Sequence, residues 1–369
     1  MPRDQLLAAL TAALLTPAGR GAVAVIRVRG AIDLLDEAIA PHFSAANGKT
    51  LSEQPLQAIR FGHWGDSITE EVVVCRTDEA TCEINCHGGT AAVNRILNDL
   101  AHRGVQTTTW QQQVSQSSDW LTAECVTAIT RATTRRTALR LVEQRDLWMD
   151  VAKRWQVDIE SPSATALSEE TRTAIERCLS WAEFGRHLIE PWRVAICGRP
   201  NVGKSTLINA LLGYDRAIVF DQPGTTRDVL TGETALAGWP ILFADTAGLR
   251  ETPDELEQAG IERARRALAD ADVRLVVFDQ SQLLTTDDID LLTEATKLPR
   301  TLVIANKSDL ETQSTWPNSL AVSAAERVGL EALADRLIAE LIPNEPAPDE
   351  VIPVTAQQAS WLQGLLAQQ

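Results

Sequence analysis

The chain has 369 residues, a hydrophobic fraction of 44% and a formal net charge of −16 at pH 7. This length is sufficient for two or three domains, and the apolar fraction is typical of chains that build packed cores. The acidic excess argues against phosphate binding by the whole surface, because proteins attract nucleic acids through Lys and Arg. Any such contact is therefore restricted to a local basic patch.

Six cysteines are scattered along the chain, and only Cys82 and Cys86 lie close together. A structural zinc site would need a second pair of ligands, so we expect reduced thiols and a cytoplasmic location. The apolar run at residues 6–15 is short for a signal peptide, and no stretch approaches the length of a membrane span. We therefore expect no association with a membrane.

Residues 1–114 contain both strand-like and helix-like runs of apolar residues, which predict an α+β N-terminal domain. Val23–Val28 and Glu71–Cys75 have the composition of strands. Ala91–His102 carries apolar residues at helical spacing, and Gly104 follows it as a stop signal.

Residues 115–190 predict a reduced helical domain. The stretches 119–156 and 168–189 contain almost no Gly or Pro and are rich in strong helix formers. Near the end of the chain, a proline-rich linker precedes a short predicted helix at Thr355–Ala367. We assign residues 343–369 to the same helical domain.

Residues 191–342 alternate short apolar runs with helical patterns, as expected for a mostly parallel sheet with helices on both faces. Val273–Phe278 and Thr301–Ala305 are apolar runs of the kind that form strands buried on both sides. This region is therefore predicted to be an α/β domain.

The segment 198–205, Gly-Arg-Pro-Asn-Val-Gly-Lys-Ser, fits the phosphate-loop pattern G-x-x-x-x-G-K-[ST] at every fixed position. The strand-like run Val194–Cys197 precedes it and the helix-like run Thr206–Leu212 follows it. A helix start of this kind offers free N–H groups to phosphate, Lys204 would reach the β- and γ-phosphates, and Ser205 would hold Mg²⁺. The residues predicted to bind the phosphates are Asn201, Val202, Gly203, Lys204, Ser205 and Thr206.

Two further signals follow in the order that a nucleotide site needs. Asp245 ends the strand-like run Ile241–Ala244, where it would hold Mg²⁺, and Gly248 would bring a backbone N–H to the γ-phosphate. The string Gly224–Asp228 lies before them, and its Thr226 would complete the Mg²⁺ shell only when γ-phosphate is present.

The string Asn306-Lys307-Ser308-Asp309 follows a predicted strand and indicates which nucleotide base the site binds. The Asp309 carboxylate can accept hydrogen bonds from both N1–H and N2–H of guanine, and adenine lacks that pair of donors. Ser323 and Ala324 would support the base through backbone contacts. All these motifs together predict an α/β P-loop GTPase domain at residues 191–342, with GTP and Mg²⁺ as its ligands.

One position departs from the Ras-like pattern. A Gln after the D-x-x-G glycine orients the attacking water in Ras-like enzymes, and Leu249 stands there in this chain. Hydrolysis would therefore need a group from a partner or from the acidic stretch Glu251–Glu257.

The stretch Asp245–Glu251, followed by Glu257 and Gly260–Ala264, resembles the MnmE (TrmE) tRNA-modification GTPases. Pro17–Arg27 and Cys86–Gly89 resemble the N-terminal domain of that family. The resemblance is specific over the GTPase region and poor over the helical region.

The resemblance implies a potassium ion that replaces an arginine finger and stabilises charge on the β–γ bridge. It would be held by Asn201, Phe220, Gln222 and Thr225. The resemblance also implies that Glu257 orients the attacking water, so that the catalytic residues would be Glu257, Lys204 and Thr226. It further implies homodimers through the N-terminal domain, and transiently through the GTPase domains.

Two departures bear on the chemistry. The Cys-x-Gly-Lys tail of the family is not present. Thr107–Gln113 stands in place of a segment that contributes to the family's folate pocket. Arg20 and Glu83 are the remaining candidates for binding a folate derivative. Two main hypotheses follow: a GTPase that serves tRNA wobble-uridine (U34) modification with a flavoprotein partner, or a GTP-dependent switch that has lost this chemistry. A ribosome-assembly GTPase of the Era or Der type is weaker, since the 27 residues after 342 are not basic. Binding of tRNA is left open.

Overall fold

The computed structural model describes residues 10–17, 19, 21–160, 167–214, 231–245 and 269–367. The chain divides into two compact units, Met1–Ala123 and Glu124–Gln369.

The first unit contains a seven-stranded sheet. Its strands are β1 (Thr11–Leu14), β2 (Val23–Arg29), β3 (Phe43–Ala45), β4 (Ile59–Trp64), β5 (Glu70–Asp78), β6 (Thr81–His87) and β7 (Gln106–Thr107). They lie in the order β3-β4-β5-β6-β2-β1-β7, and all neighbours are antiparallel except β1 and β7. The helices that the structure describes in this unit are α1 (Ile32–Ile39), α2 (Thr90–His102) and α3 (Trp110–Ser117).

One face of this sheet is buried because apolar side chains alternate along its central strands. Ile26 and Val28 of β2 are fully buried, whereas Arg27 between them is partly exposed. Helices α1 and α2 contribute Leu35 and Leu100 to the same core. The predicted strands in β2 and β5 and the predicted helix in α2 are confirmed.

The second unit contains helices before its sheet. They are α4 (Trp120–Thr130), which starts in the first unit, α5 (Arg135–Glu160), α6 (Glu169–Ser180) and α7 (Ala182–Arg186). Each of the two stretches predicted to be helical, 119–156 and 168–189, thus contains two helices and not one. The first stretch is interrupted because the Thr134 hydroxyl accepts a hydrogen bond from the Thr137 N–H at 3.2 Å and so begins a new helix.

The sheet of the second unit has six strands. They are β8 (Trp192–Cys197), β9 (Thr231–Leu236), β10 (Trp239–Asp245), β11 (Val273–Asp279), β12 (Thr301–Asn306) and β13 (Leu320–Val322). Their order is β13-β12-β11-β8-β10-β9, and only the β9–β10 pair is antiparallel. The remaining helices among the described residues are α8 (Lys204–Leu212), α9 (Thr286–Ala295), α10 (Leu330–Leu341) and α11 (Ala356–Ala367).

Helices cover both faces of this sheet. Leu207 of α8 and Leu333 of α10 pack with Leu275 of β11 in one core, whereas Leu292 of α9 packs with Phe278 of β11 in another. Successive residues of β11 are therefore buried on opposite sides, which explains its uninterrupted apolar sequence. The predicted α/β fold with a mostly parallel sheet is confirmed, as are the predicted strands in β11 and β12 and the final helix.

Because β8, β10, β11 and β12 are parallel, their carboxyl ends meet at one edge of the sheet. Asp245 pairs in register with Ile196, and Asp279 pairs with Asn306. Ligands of open α/β sheets bind at this edge, so the fold gathers the predicted motifs where a nucleotide site is expected.

Helix α5 also binds the segment 346–352 through side chains one turn apart, which we call the α5 cluster (Arg140, Gln144 and Trp148). Arg140 donates to three carbonyl oxygens of the segment, at 2.5, 2.9 and 3.2 Å. Gln144 donates to a fourth at 2.7 Å and accepts the Ile352 N–H at 2.7 Å, and Trp148 Nε1 donates to the Ile352 carbonyl at 2.9 Å. This segment is thereby fixed along the helix.

Within the described part of the chain, no helix is both long enough and apolar enough to cross a membrane.

Candidate active site

The phosphate loop joins β8 to α8 and takes backbone conformations that require glycine. Gly198 and Gly203 have φ angles of 152° and 94°. A Cβ atom at Gly203 would lie 2.3 Å from Asn306 Nδ2, and one at Gly198 would lie 2.3 Å from the Val277 carbonyl oxygen. Both glycines are therefore needed for the loop to approach the neighbouring strand ends.

Lys204, Ser205 and Thr206 form the first turn of α8, as the sequence predicts. The Lys204 residue is only 6% exposed, and its Nζ donates to the Arg199 carbonyl oxygen at 2.8 Å, within the loop itself. Ser205 and Thr206 are exposed. The N-terminal turn of a helix carries the positive end of the helix dipole, so this turn can accept an anion.

Arg199 ties the phosphate loop to α9. Its guanidinium donates to the Thr285 hydroxyl at 2.7 Å and to the Asp288 carboxylate at 3.0 Å. Burial raises the pKa of Asp288, but the hydrogen bonds from Thr285 and Arg199 outweigh burial and hold that pKa below its usual range. A charged side chain thus fixes the phosphate loop to the start of α9, in addition to the constraints at its two glycines.

Asn306 joins the phosphate loop to the loop after β13. Its Nδ2 donates to the Val202 carbonyl oxygen at 2.8 Å, and its Oδ1 accepts the Ala324 N–H at 3.1 Å. Asn306 is 2% exposed, so both ends of the amide are used inside the protein. We call this arrangement the Asn306 junction.

Lys307 and Asp309 follow the end of β12. Lys307 has a left-handed backbone with φ of 63°, and its Nζ donates to Asp279 Oδ2 at 2.6 Å. Asp309 is exposed, while Ser323 and Ala324 are buried. The structure therefore gathers the predicted base-binding residues at the same sheet edge as the phosphate loop.

Asp279 is a residue of this site that the sequence motifs did not predict. Its Oδ1 accepts the Ser281 N–H at 3.0 Å and the Ser281 hydroxyl at 2.6 Å, while Oδ2 accepts Lys307. Burial raises the pKa of Asp279, but the hydrogen bonds from Lys307 and Ser281 outweigh burial and hold that pKa below its usual range. A carboxylate at the end of a buried strand beside β12 was the signal that could have revealed it.

Two of the predicted Mg²⁺ ligands lie at the same sheet edge. Asp245 is the last residue of β10, and Ser205 follows the loop that leaves the neighbouring strand β8. Carboxylate and hydroxyl oxygens are ligands that Mg²⁺ prefers, so this donor set fits the ion. The described residues hold no group of three or more His, Cys, Asp and Glu arranged for a metal.

Several predicted site residues lie outside the described residues. They are Arg20, Phe220, Gln222, Thr225, Thr226, Gly248 and Glu257. Of the predicted K⁺ ligands only Asn201 is described, and it is exposed on the phosphate loop with φ of 65°.

The folate prediction stays a prediction. Arg20, one of its two candidate residues, lies outside the described residues. The other, Glu83 of β6, is engaged by Arg27 of β2, whose Nη2 lies 2.9 Å from Glu83 Oε1.

Two protein-family models match the chain. The model described as "50S ribosome-binding GTPase" matches residues 193–307, which include the phosphate loop and Asn306. The model described as "GTP-binding protein TrmE N-terminus" matches residues 10–109, which span the first sheet.

Individual relatives match over most of their length. The tRNA modification GTPase MnmE of Lacticaseibacillus paracasei is 34% identical over 373 residues, which cover 88% of this chain and 79% of the relative. That of Lactobacillus delbrueckii is 33% identical over 400 residues, which cover 95% and 85%. A solved structure of Aquifex aeolicus Era is 27% identical and covers 44% of this chain and 62% of Era, with a TM-score of 0.33.

Identity of about a third extends across both units and most of each relative. The motifs at the sheet edge and the matched N-terminal model point to the same group of proteins. The chain therefore belongs to the MnmE family of tRNA modification GTPases.

Proposed function

We propose that this GTPase hydrolyses GTP to GDP and phosphate and acts in tRNA modification. The observation that carries the proposal is the Asn306 junction, in which one buried amide fixes the phosphate loop to the loop of Ser323 and Ala324. A nucleotide needs its phosphate and base contacts at a fixed separation, and this junction supplies it. Membership of the MnmE family supports GTP as the nucleotide and tRNA modification as the process.

The phosphates would bind at the start of α8. The N–H groups of its first turn and the positive end of the helix dipole attract an anion. Lys204 would exchange the Arg199 carbonyl, 2.8 Å from its Nζ, for phosphate oxygens. A bond to an anion is the stronger of the two because both partners carry charge.

The guanine would bind between Lys307, Asp309 and the loop at Ser323. The exposed Asp309 carboxylate would accept N1–H and N2–H, which selects guanine over adenine. Buried Ser323 and Ala324 would supply backbone contacts that do not depend on a mobile side chain.

Mg²⁺ would be held by Ser205, Thr226 and Asp245, and it would supply positive charge that offsets the charge on the phosphates. Ser205 and Asp245 support this assignment because they lie at the carboxyl ends of neighbouring parallel strands or just beyond them. The chain's own part is to fix the oxygen donors on rigid elements.

We also propose the K⁺ site and the role of Glu257 that the family resemblance implies. Asn201 supports a cation beside the phosphates, since it is exposed on the loop that would hold them. Glu257 would orient the attacking water, a role that Leu249 cannot fill because it has no hydrogen-bonding group. The other K⁺ ligands in this proposal are Phe220, Gln222 and Thr225.

The partners are proposed on the same basis. We propose a homodimer through the N-terminal domain, transient pairing of GTPase domains, and a flavoprotein partner in the modification of wobble uridine. A cytoplasmic location accords with the six cysteines, which are all described and all outside disulfides. The division into domains at residues 1–114, 115–190 with 343–369, and 191–342 is kept as part of the proposal. The docking of segment 346–352 on α5 supports it.

The alternative, a GTP-dependent switch without tRNA chemistry, is not favoured. The relatives at about a third identity, matched over most of their length, are tRNA modification GTPases. No contact in the described residues points to a different reader of the nucleotide state.

The test is mass spectrometry of wobble uridines in tRNA from cells in which this chain is the sole family member. We expect modified uridine with the wild type and bare uridine with Lys204→Ala, because loss of a charged phosphate contact lowers turnover by about 100-fold. Lys297→Ala is the matched control, since that side chain is 62% exposed and paired with Glu294. If the wild type leaves the uridine bare while the purified chain hydrolyses GTP, the switch alternative replaces this proposal.

A further inference from the structure

We propose that Asp279 is a positioning residue that fixes Lys307 for contact with the guanine base and thereby raises the affinity for guanine nucleotides. The inference rests on the proposed function, since it concerns the base-binding side of the same site. None of the sequence motifs includes Asp279.

The Asp279 carboxylate is fully committed within the protein. One oxygen accepts Lys307 Nζ at 2.6 Å, and the other accepts the N–H and hydroxyl of Ser281 at 3.0 and 2.6 Å. The Asp279 side chain is only 7% exposed. A buried carboxylate with partners on both oxygens has a fixed orientation, so it can act as a rigid anchor for the ammonium group.

The backbone brings the two residues together across parallel strands. Asp279 pairs in register with Asn306, and the Gln280 N–H donates to the Asn306 carbonyl at 3.1 Å. Lys307 then leaves β12 with a left-handed φ of 63°. The pair therefore depends on a backbone arrangement that the same Asn306 junction stabilises.

Anchoring only the tip of Lys307 leaves its stem available. The Lys307 side chain is 32% exposed although its Nζ is bonded. A lysine stem covers apolar surface well when its charged end is held elsewhere, and a base presents a flat apolar face. The rotamer entropy that a free lysine would lose on nucleotide binding is already lost in the folded protein.

The same strand supplies a matched control at its opposite end. Asp272, which precedes β11, accepts the Arg193 N–H at 2.7 Å and lies 3.5 Å from His187 Nε2. Its side chain is 11% exposed. Burial raises the pKa of Asp272, but the hydrogen bonds from His187 and the Arg193 N–H outweigh burial and hold that pKa below its usual range, as for Asp279. Asp272→Asn thus makes the same chemical change in a similar environment, at the edge of the sheet away from the nucleotide motifs.

The experiment is calorimetric titration of GDP into the full chain and its variants. Asp279→Asn is expected to weaken GDP binding about tenfold, the size of one charge-assisted hydrogen bond. KM for GTP should rise by the same factor, whereas kcat at saturating GTP should fall by less than about twofold. Asp272→Asn should leave GDP affinity within twofold of the wild type while lowering the melting temperature.

A double-mutant cycle separates positioning from general stability. In a Lys307→Met background, Asp279→Asn should cause no further loss of GDP affinity, since the partner of the carboxylate is already gone. Ser281→Ala is a milder variant that only loosens Asp279, and it should weaken GDP binding about threefold. It tests the inference in place of Asp279→Asn if that variant does not fold.

Unchanged GDP affinity in both Asp279→Asn and Ser281→Ala would overturn the inference. So would a double variant in which the two losses of GDP affinity multiply, or a loss of GDP affinity in Asp272→Asn equal to that in Asp279→Asn. These results leave the proposed function intact. A wild-type chain that binds no GDP would instead overturn the proposed function, and the inference with it.

Discussion

Asn306 contributes its side chain to the framework of the predicted nucleotide site. Its amide donates to the Val202 carbonyl and accepts the Ala324 N–H, and it is almost fully buried. Burying an amide is costly unless its groups are paired, and here both are. Gly203 belongs to the same arrangement, because any Cβ there would collide with the amide. The glycine and the asparagine are therefore required together.

How far the sequence predicts this site depends on the range of the interaction. Asn306 ends β12, Asp309 follows shortly after it, and Lys204 follows the loop that leaves β8. Their positions relative to predicted strands were therefore enough to assign them to one sheet edge. Asp279 was missed because its partner Lys307 lies 28 positions away and no local motif includes it. The pair becomes visible only when the parallel register of β11 and β12 is known.

Asp309→Asn is expected to change which base the site accepts. The amide would oppose one of the guanine donors, so GTP turnover should fall by at least about 100-fold. Xanthosine triphosphate carries an acceptor oxygen in place of the exocyclic amine, so it should become the better substrate. Steady-state hydrolysis of both nucleotides measures this preference, with exposed Asp335→Asn as the control. A variant that still prefers GTP would remove Asp309 from base recognition.

At the scale of elements, α5 organises a segment that composition alone describes as a linker. Pro346 and Pro348 lack N–H groups, and their carbonyl oxygens still need donors, which Arg140 provides. The sequence could not predict this docking, because the partners lie 206 and 208 positions apart and the contacts are polar. Helical periodicity gave the helix itself but not the break at Thr134, where a side-chain cap starts α5.

Gln144→Ala is expected to lower the free energy of unfolding of the second unit by about 1–3 kcal/mol. The substitution leaves the buried Ile352 N–H without its acceptor and the Glu350 carbonyl without its donor. Urea unfolding followed by tryptophan fluorescence measures the loss, since Trp148 binds the same segment. Asp146→Ala, at an exposed position of the same helix where the carboxylate pairs with Arg145, should change stability by less than about 0.5 kcal/mol. Equal losses in both variants would mean that the α5 cluster adds nothing specific.

At the scale of the whole molecule, the chain has two units with separate cores. The first core is built on the seven-stranded sheet, and the second surrounds the six-stranded sheet whose edge carries the nucleotide motifs. All described residues of the proposed GTP site, from Asn201 to Ala324, belong to the second unit. A ligand that binds only the folded form stabilises the unit that contains its site.

Scanning calorimetry with and without GDP tests this division of the molecule. At a free GDP concentration of 100 times Kd, the nucleotide should stabilise the second unit by about 2.7 kcal/mol. This corresponds to a rise of roughly 5–10 °C in the melting temperature of that unit. The transition of the first unit should not move, because none of the described site residues lies in it. Lys204→Ala should reduce the shift of the second unit without changing the first. Equal shifts of both transitions would show that the first unit responds to the nucleotide, and stability linked to GDP would then be a property of the whole chain.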